Sequence, residues 1–284
     1  MKQSCTVRLL IIDPQNDFCD IPGAALPVTG ADADMRRLAT FMQSARTRIG
    51  ELIVTLDSHP SVAIERTTFW VTSNGEPVAP YTEITLEAVE TGRFIPRGAL
   101  SEGEREGDRT LVTRVMQYLK VLEAGGRYRL CVWPVHCVLG TWGHNVHEAV
   151  AKEVNAWEEA HQRTALKVLK GMNPMTEQYS AVCAEVPDLN DPLSQTNHKL
   201  IGRAKPGMDE LLIVAGEAAS HCVAATMEHL LEAFTNEERA RVVVLKDCMS
   251  QVTGFEAQTE KFFDAVRRAG GRVLTSQQAL ALIA

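Results

Sequence analysis

Short runs of Val, Ile and Leu recur along this chain with no polar residue alternating inside them, and this pattern limits its fold more than any other. The runs lie at residues 8–12, 51–56, 128–133, 166–169, 211–214, 242–245 and 272–274. A strand with one wet face alternates apolar and polar side chains. A strand covered on both faces does not, and cover on both faces is the mark of parallel sheets. Stretches with helical apolar spacing separate the runs, at 33–49, 146–162, 223–234 and 256–269. Strand and helix in alternation predict an α/β fold of three layers, with a mostly parallel central sheet between helices.

Two stretches interrupt that rhythm. Residues 71–127 hold TSNGEPVAPYT, the acidic run SEGEREGD and one helical pattern at 111–124; residues 172–200 are turn-rich and polar. Neither carries an obvious core-sized apolar set, so the expectation is one domain over 1–284 with insertions at about 71–127 and 172–200.

Composition mainly excludes. With 45% hydrophobic residues the chain can bury a core without staples, and a formal net charge of −7 with no basic stripe argues against a nucleic-acid surface. No apolar run reaches the length of a membrane span. The opening MKQSCTVRLLII meets IIDPQNDF without a small-residue cleavage site, so no signal peptide is expected. Seven cysteines, an odd number with no C-x-x-C pair, fit free thiols in a reducing cytoplasm. The commonest nucleotide-binding and serine-hydrolase motifs, G-x-G-x-x-G, G-x-x-x-x-G-K-[ST] and G-x-S-x-G, are absent.

The residues just beyond the runs are more informative. Asp13 comes after the first, Asp57-Ser58-His59 after the second, Pro134-Val135-His136 after the third and Lys170-Gly171 after the fourth. The fifth leads through a turn of small residues to Cys222, just before a helical stretch. Ligands of open parallel sheets bind beyond the carboxyl ends of the strands, so five strands deliver chemistry-bearing residues to one edge.

Each has an ordinary structural explanation beside the functional one. Asp57 caps a turn and His59 is a surface residue, or with His136 they form a two-imidazole, one-carboxylate set suited to Zn²⁺, Fe²⁺ or Mn²⁺. Cys222 is an inert core thiol, as fits Cys5, Cys131, Cys183 and Cys248, or a nucleophile whose pKa is lowered at a helix start. Asp13 and Lys170 are a structural ion pair, or groups that neutralise each other beside a reactive thiol.

Five segments together resemble the nicotinamidase/isochorismatase-like cysteine hydrolases, in the nicotinamidase-like branch. IIDPQNDF at 11–18 is similar to the family's D-x-Q-x-D-F opening, TLDSHP at 55–60 to its D-x-H, and WPVHCVLGT at 133–141 to W-P-x-H-C-x-x-G-T. LKG at 169–171 resembles the catalytic Lys-Gly, and GEAASHCVAAT at 216–226 the G-x-A-x-x-H-C-V-x-x-T turn. The matches keep the family's order and span nearly the whole chain.

The resemblance implies an Asp13, Lys170, Cys222 triad that hydrolyses a small planar amide, nicotinamide foremost, through a thioester on Cys222. It implies an oxyanion hole from the N–H groups of Ala218 and Cys222, and a cis peptide between Glu217 and Ala218. A Zn²⁺-like ion (Fe or Mn as alternatives) would sit on Asp57, His59 and His136, and Phe18, Trp133 and Tyr179 would flank a planar ring. Glu65 is the nearest candidate for a fourth ligand and is left unassigned. The implied partner is a small-molecule amide, with neither nucleic acid nor membrane; a homo-oligomer is compatible with the sequence. Competing readings are an isochorismatase-like or carbamoyl-amide hydrolase, a catalytically inactive binding homologue, and a thiol redox protein using Cys222 and Cys137.

Overall fold

A computed structural model describes residues 6–100 and 106–284; Cys5 and residues 101–105 of the acidic run lie outside the described residues. The strands are β1 (Thr6–Ile12), β2 (Ile49–Asp57), β3 (Trp70–Thr72), β4 (Thr82–Ile84), β5 (Phe94–Pro96), β6 (Leu130–Val132), β7 (Leu166–Lys170), β8 (Glu210–Gly216), β9 (Val242–Leu245) and β10 (Arg272–Leu274). The helices are α1 (Ala31–Ala45), α2 (Leu86–Glu90), α3 (Glu106–Gly125), α4 (Glu148–His161), α5 (His198–Ala204), α6 (Ala224–Ala233), α7 (Asn236–Arg239), α8 (Glu256–Arg268) and α9 (Ser276–Ile283).

Six strands make one sheet in the order β10-β9-β8-β1-β2-β7, and every neighbouring pair is parallel. Successive side chains of a strand point to opposite faces, and here both faces are dry. Val7, Leu9 and Ile11 of β1 join Met35, Leu38 and Phe41 of α1, Val150 and Trp157 of α4 and Ile283 of α9 in one cluster. Leu10 and Ile12 join Leu200 of α5, Met227 and Leu230 of α6 and Phe262 and Val266 of α8 in the other. The unbroken apolar runs are thus the record of a sheet covered by helices twice over.

The run at 128–133 behaves differently from the expectation. It yields only β6, which leaves the main sheet and pairs antiparallel with β4, Thr82 opposite Val132 and Ile84 opposite Leu130. The strand is buried, as its apolar character requires, but apolar character does not specify the hydrogen-bonding partner. Residues 71–127 also differ: with their flanks they carry a third apolar cluster, in which Trp70, Val115 and Leu119 are fully buried beside Ile64, Ile84 and Leu130. The 172–200 stretch lays Tyr179, Ala181 and Val182 onto the sheet's core while its tip exposes Leu189 and Leu193.

All six described cysteines are free, with Cys131 and Cys183 only half-buried. Among the described residues no helix is long and apolar enough to cross a membrane.

Candidate active site

Asp13 is the first residue beyond the central strand β1 and turns the chain with a φ of +44°, a conformation aspartate tolerates better than most. Its amide donates to the carbonyl and hydroxyl of Thr55 on β2, and Thr55 Oγ1 donates back to Asp13 Oδ1 at 2.5 Å. The ends of β1 and β2 are therefore fixed to each other. Lys170 ends the edge strand β7, in register with Asp57. Its Nζ lies 2.6 Å from Asp57 Oδ1, 3.0 Å from Asp13 Oδ2, 3.2 Å from the Gln178 carbonyl and 3.5 Å from Cys222 Sγ. One buried ammonium thus ties two carboxylates to the sulfur.

Cys222 lies in a wide helical turn, Ala219–Val223, that runs into α6. The turn starts from Gly216, whose φ is +123° and where a Cβ would sit 1.9 Å from the Ile12 carbonyl, so only glycine fits. The Glu217–Ala218 peptide is cis. The loop after β9 grips the turn: Ala219 donates to the Ser250 carbonyl at 2.8 Å, and the Ser250 amide donates to Glu217 Oε2 at 3.1 Å. Ala218 and Cys222 both face the same pocket.

Charge follows burial and pairing. Burial pushes Asp13 up against the pull of Lys170, whereas for Asp57 burial is outweighed by His59 and Lys170, which hold it well below the usual carboxylate range. Burial would lower Lys170, but Asp13 and Asp57 raise it well above its ordinary value. For Cys222 burial wins over the Lys170 cation, and the thiol is pushed well up. This corrects the expectation of a thiol acidified at a helix start. The resting sulfur is protonated, and its proton needs an acceptor. Asp13 adds to the upward shift of that thiol, and its Oδ2, although 3.0 Å from Lys170 Nζ, has no hydrogen-bond partner.

The other end of the pocket holds Asp57, His59 and His136. His59 Nε2 lies 2.8 Å from Asp57 Oδ1, and His136 Nε2 3.3 Å from Asp57 Oδ2. The chain leaves β7 through Gly171, where a Cβ would come within 2.4 Å of the His59 ring. Two neighbours carry no assignment from the sequence. Glu65 Oε1 is 3.0 Å from His59 Nδ1, and Arg66 touches His136 through Nη1. Burial and Arg66 lower His136 to about 4, leaving it neutral.

Among the described residues no group of three or more His, Cys, Asp or Glu side chains is placed, as it stands, to enclose an ion. The donor chemistry nevertheless fits one. Two imidazoles share a carboxylate, and His59 Nδ1 and both Glu65 oxygens are buried without a hydrogen-bond partner.

Phe18, Trp133 and Tyr179 line the pocket together. Phe18 stands edge-on to His136, and Trp133 Nε1 donates to the Tyr179 hydroxyl at 3.1 Å. His221 fills the gap beside Trp133 and is held neutral by burial, near 4. The structure thus lines one pocket with the sequence-selected residues except Asp13, which lies behind Lys170 at 3.0 Å, and adds Arg66, Glu177, Gln178 and His221. Glu65 stood out in the sequence by its position soon after the D-x-H, and Arg66 beside it did not.

No family model matches the chain. Over 146 residues it is 26% identical to the nicotinamidase of Saccharomyces cerevisiae, a match spanning 51% of this chain and about half the length of that relative. Among solved structures, yeast nicotinamidase superposes with a TM-score of 0.62 at 22% identity, covering 95% of this chain and 99% of that one. A nicotinamidase pyrazinamidase from Acinetobacter baumanii gives 0.61 at 18% over 98% and 100%. The pyrazinamidase of Pyrococcus horikoshii, solved in complex with zinc, gives 0.51 at 18% over 95% and 98%. These solved structures share this chain's isochorismatase-like fold, and the yeast enzyme is also similar to it in sequence over about half its length.

Proposed function

We propose that the chain is a cysteine amidohydrolase that releases ammonia from a small planar amide, with nicotinamide the leading candidate. The observation that carries this reading is the reach of Lys170 Nζ to Asp13, Asp57 and the sulfur of Cys222 in a pocket walled by Phe18, Trp133 and Tyr179. The curated relative is a nicotinamidase, which supports the same chemistry.

In the first half-reaction Asp13 takes the thiol proton as Cys222 Sγ bonds to the amide carbon. The C–N bond then breaks, and the nitrogen leaves as ammonia with the proton returned by Asp13. In the second half-reaction Asp13 draws a proton from water, which attacks the thioester carbonyl and frees the acid and the thiol. Each assisted proton transfer contributes roughly 10²–10⁴-fold. Lys170 keeps Asp13 in the form that accepts a proton and balances the sulfur's charge as it develops. The N–H groups of Ala218 and Cys222 are assigned to the carbonyl oxygen during both attacks. The aromatic walls hold the ring and keep water away from the sulfur until the amine has left.

Asp57, His59 and His136, with Glu65 beside them, are the residues that would hold a divalent ion, Zn²⁺ before Fe²⁺ or Mn²⁺. When bound there, such an ion supplies a Lewis-acid contact that orients the substrate. The zinc complex of the pyrazinamidase with the same fold supports that assignment. Free cysteines fit a cytoplasmic location.

The test is an ammonia-release screen of small amides, nicotinamide included, on metal-supplied wild type and on Cys222→Ala. Turnover confined to the wild type supports the reading. Turnover that survives in Cys222→Ala, or no turnover of any amide by a folded, metal-bound wild type, refutes it.

A further inference from the structure

Glu217 is fully buried in the nucleophile turn, and no step of the reaction uses its carboxyl group. Its amide donates to the Ile12 carbonyl at 2.8 Å, which ties it to the end of β1. Its Oε2 accepts from the Ser250 amide at 3.1 Å, and its Oε1 has no partner. The Ser250 carbonyl accepts from the Ala219 amide at 2.8 Å, so this one residue holds the neighbours of Ala218 on both sides. The Ser250 hydroxyl donates to Asp34 of α1, and Asp34 pairs with Arg37. Two buried carboxyl groups therefore meet at one serine, and among the described residues only Asp34 has a cation. A carboxylate buried without a countercharge is costly, and keeping its proton relieves the cost. Burial and Asp34 accordingly raise Glu217 well above the ordinary carboxyl range. The other titratable groups around it bring no cation either: Asp20 before α1 is an anion, and burial pushes the Cys19 and Cys248 thiols up.

We propose that Glu217 is a positioning residue, which through its bond to Ser250 holds the Ala218 N–H where the carbonyl oxygen of the substrate becomes an oxyanion. It does so as the neutral acid, with the proton on the otherwise unpartnered Oε1. An anion next to Ala218 would oppose the charge that develops on the substrate, whereas the neutral acid makes the same bond to Ser250 without that opposition. The proposal rests on the amidohydrolase reading and concerns the rate of its chemical step. Removing an oxyanion donor outright costs about 10²–10³-fold in kcat, and loosening one should cost about ten- to a hundred-fold.

The experiment measures kcat and KM per folded molecule, by ammonia release from the best amide of the screen, in the metal-supplied full chain. Wild type, Glu217→Gln and Glu217→Met are compared, with thermal midpoints taken between about pH 5 and pH 8. Glutamine keeps an acceptor for Ser250 and carries no charge, so its kcat should stay within about threefold of wild type. Methionine fills the same space without that acceptor and should lose about ten- to a hundred-fold in kcat, with KM within about threefold, because only the transition state is held less well. A carboxyl group that keeps its proton in the fold and loses it on unfolding costs stability as pH rises. The midpoint of Glu217→Gln should therefore gain on wild type across that range. Unchanged kcat in Glu217→Met overturns the proposal whatever its midpoint, and so does a loss confined to KM. A fall in Glu217→Gln as deep as in Glu217→Met overturns it too. So does a midpoint difference that stays constant with pH, the result for an ionised Glu217, and this comparison stands even should the methionine variant fail to fold. Absence of hydrolysis of every amide by folded, metal-bound wild type removes the amidohydrolase reading and the proposal together, whereas hydrolysis indifferent to Glu217 removes the proposal alone.

Discussion

The two ends of the pocket are built on different terms. The end around Cys222 is set by strands: Asp13, Lys170 and the nucleophile turn sit at or just beyond the ends of β1, β7 and β8, and Thr55, Gln178 and Ser250 occupy most of the hydrogen-bonding capacity nearby. Its unmatched acceptors are Asp13 Oδ2, beside Lys170, and Glu217 Oε1 in the nucleophile turn. The end around His136 draws Glu65, Arg66 and His136 from loops and leaves several buried polar atoms unmatched, among them His59 Nδ1, both Glu65 oxygens and Arg66 Nη2. Satisfied groups report a site organised before anything binds, and unmatched ones report a site completed by its ligand.

That contrast can be broken. Cys222→Ala should abolish ammonia release with fold and metal content retained, whereas Cys183→Ala should keep most activity; equal loss in both would mean that stability was being measured. Asp13→Asn should bind substrate yet lose turnover by several orders of magnitude, about 10²–10⁴-fold for each proton transfer. Unchanged turnover per folded molecule would reduce Asp13 and Lys170 to a structural pair.

At the other end, His59→Ala or His136→Ala should lower metal occupancy sharply, because either leaves two protein ligands in place of three. Stoichiometric metal in the double variant would show that the ion, if bound, lies elsewhere. Lys170→Ala joins the two ends, since it frees both Asp13 and Asp57. Without the cation the thiol's pKa, already raised by burial, rises further, so alkylation of Cys222 near neutral pH should slow and its rate should climb only at higher pH. Faster alkylation would show that access, and not charge, protects the sulfur. The smallest change with a measurable effect is Gly171→Ala. Its Cβ must displace the His59 ring, which should weaken metal binding more than it lowers the thermal midpoint.

Legibility in the sequence divides along the same line. The sheet can be read because strands covered on both faces carry unbroken apolar runs, and Asp13, Asp57 and Lys170 can be read because they end those runs. The third apolar cluster cannot. Its members, from Ile64 and Trp70 to Leu119 and Leu130, are scattered over short segments, so no local window holds a pattern. The pairing of β6 with β4 is hidden too, because apolarity reports burial and not partner. Arg66 reads as a surface residue in any sequence, and only tertiary enclosure makes it part of a pocket. The direction of the Cys222 shift escapes the sequence because a helix start is visible locally and desolvation is not.

The separation of the interacting residues along the chain has a kinetic meaning. Thr55 lies 42 residues from Asp13, Lys170 lies 113 from Asp57, and Cys222 lies 52 beyond Lys170. Contacts this distant close late, because each costs chain entropy before any of them is rewarded. During refolding the sulfur should therefore react as an ordinary thiol until β8 docks beside β1, and only then fall to the slower rate of the buried, protonated native thiol. The drop in alkylation rate at Cys222 would thus time the docking of β8, and recovery of catalysis could not precede it.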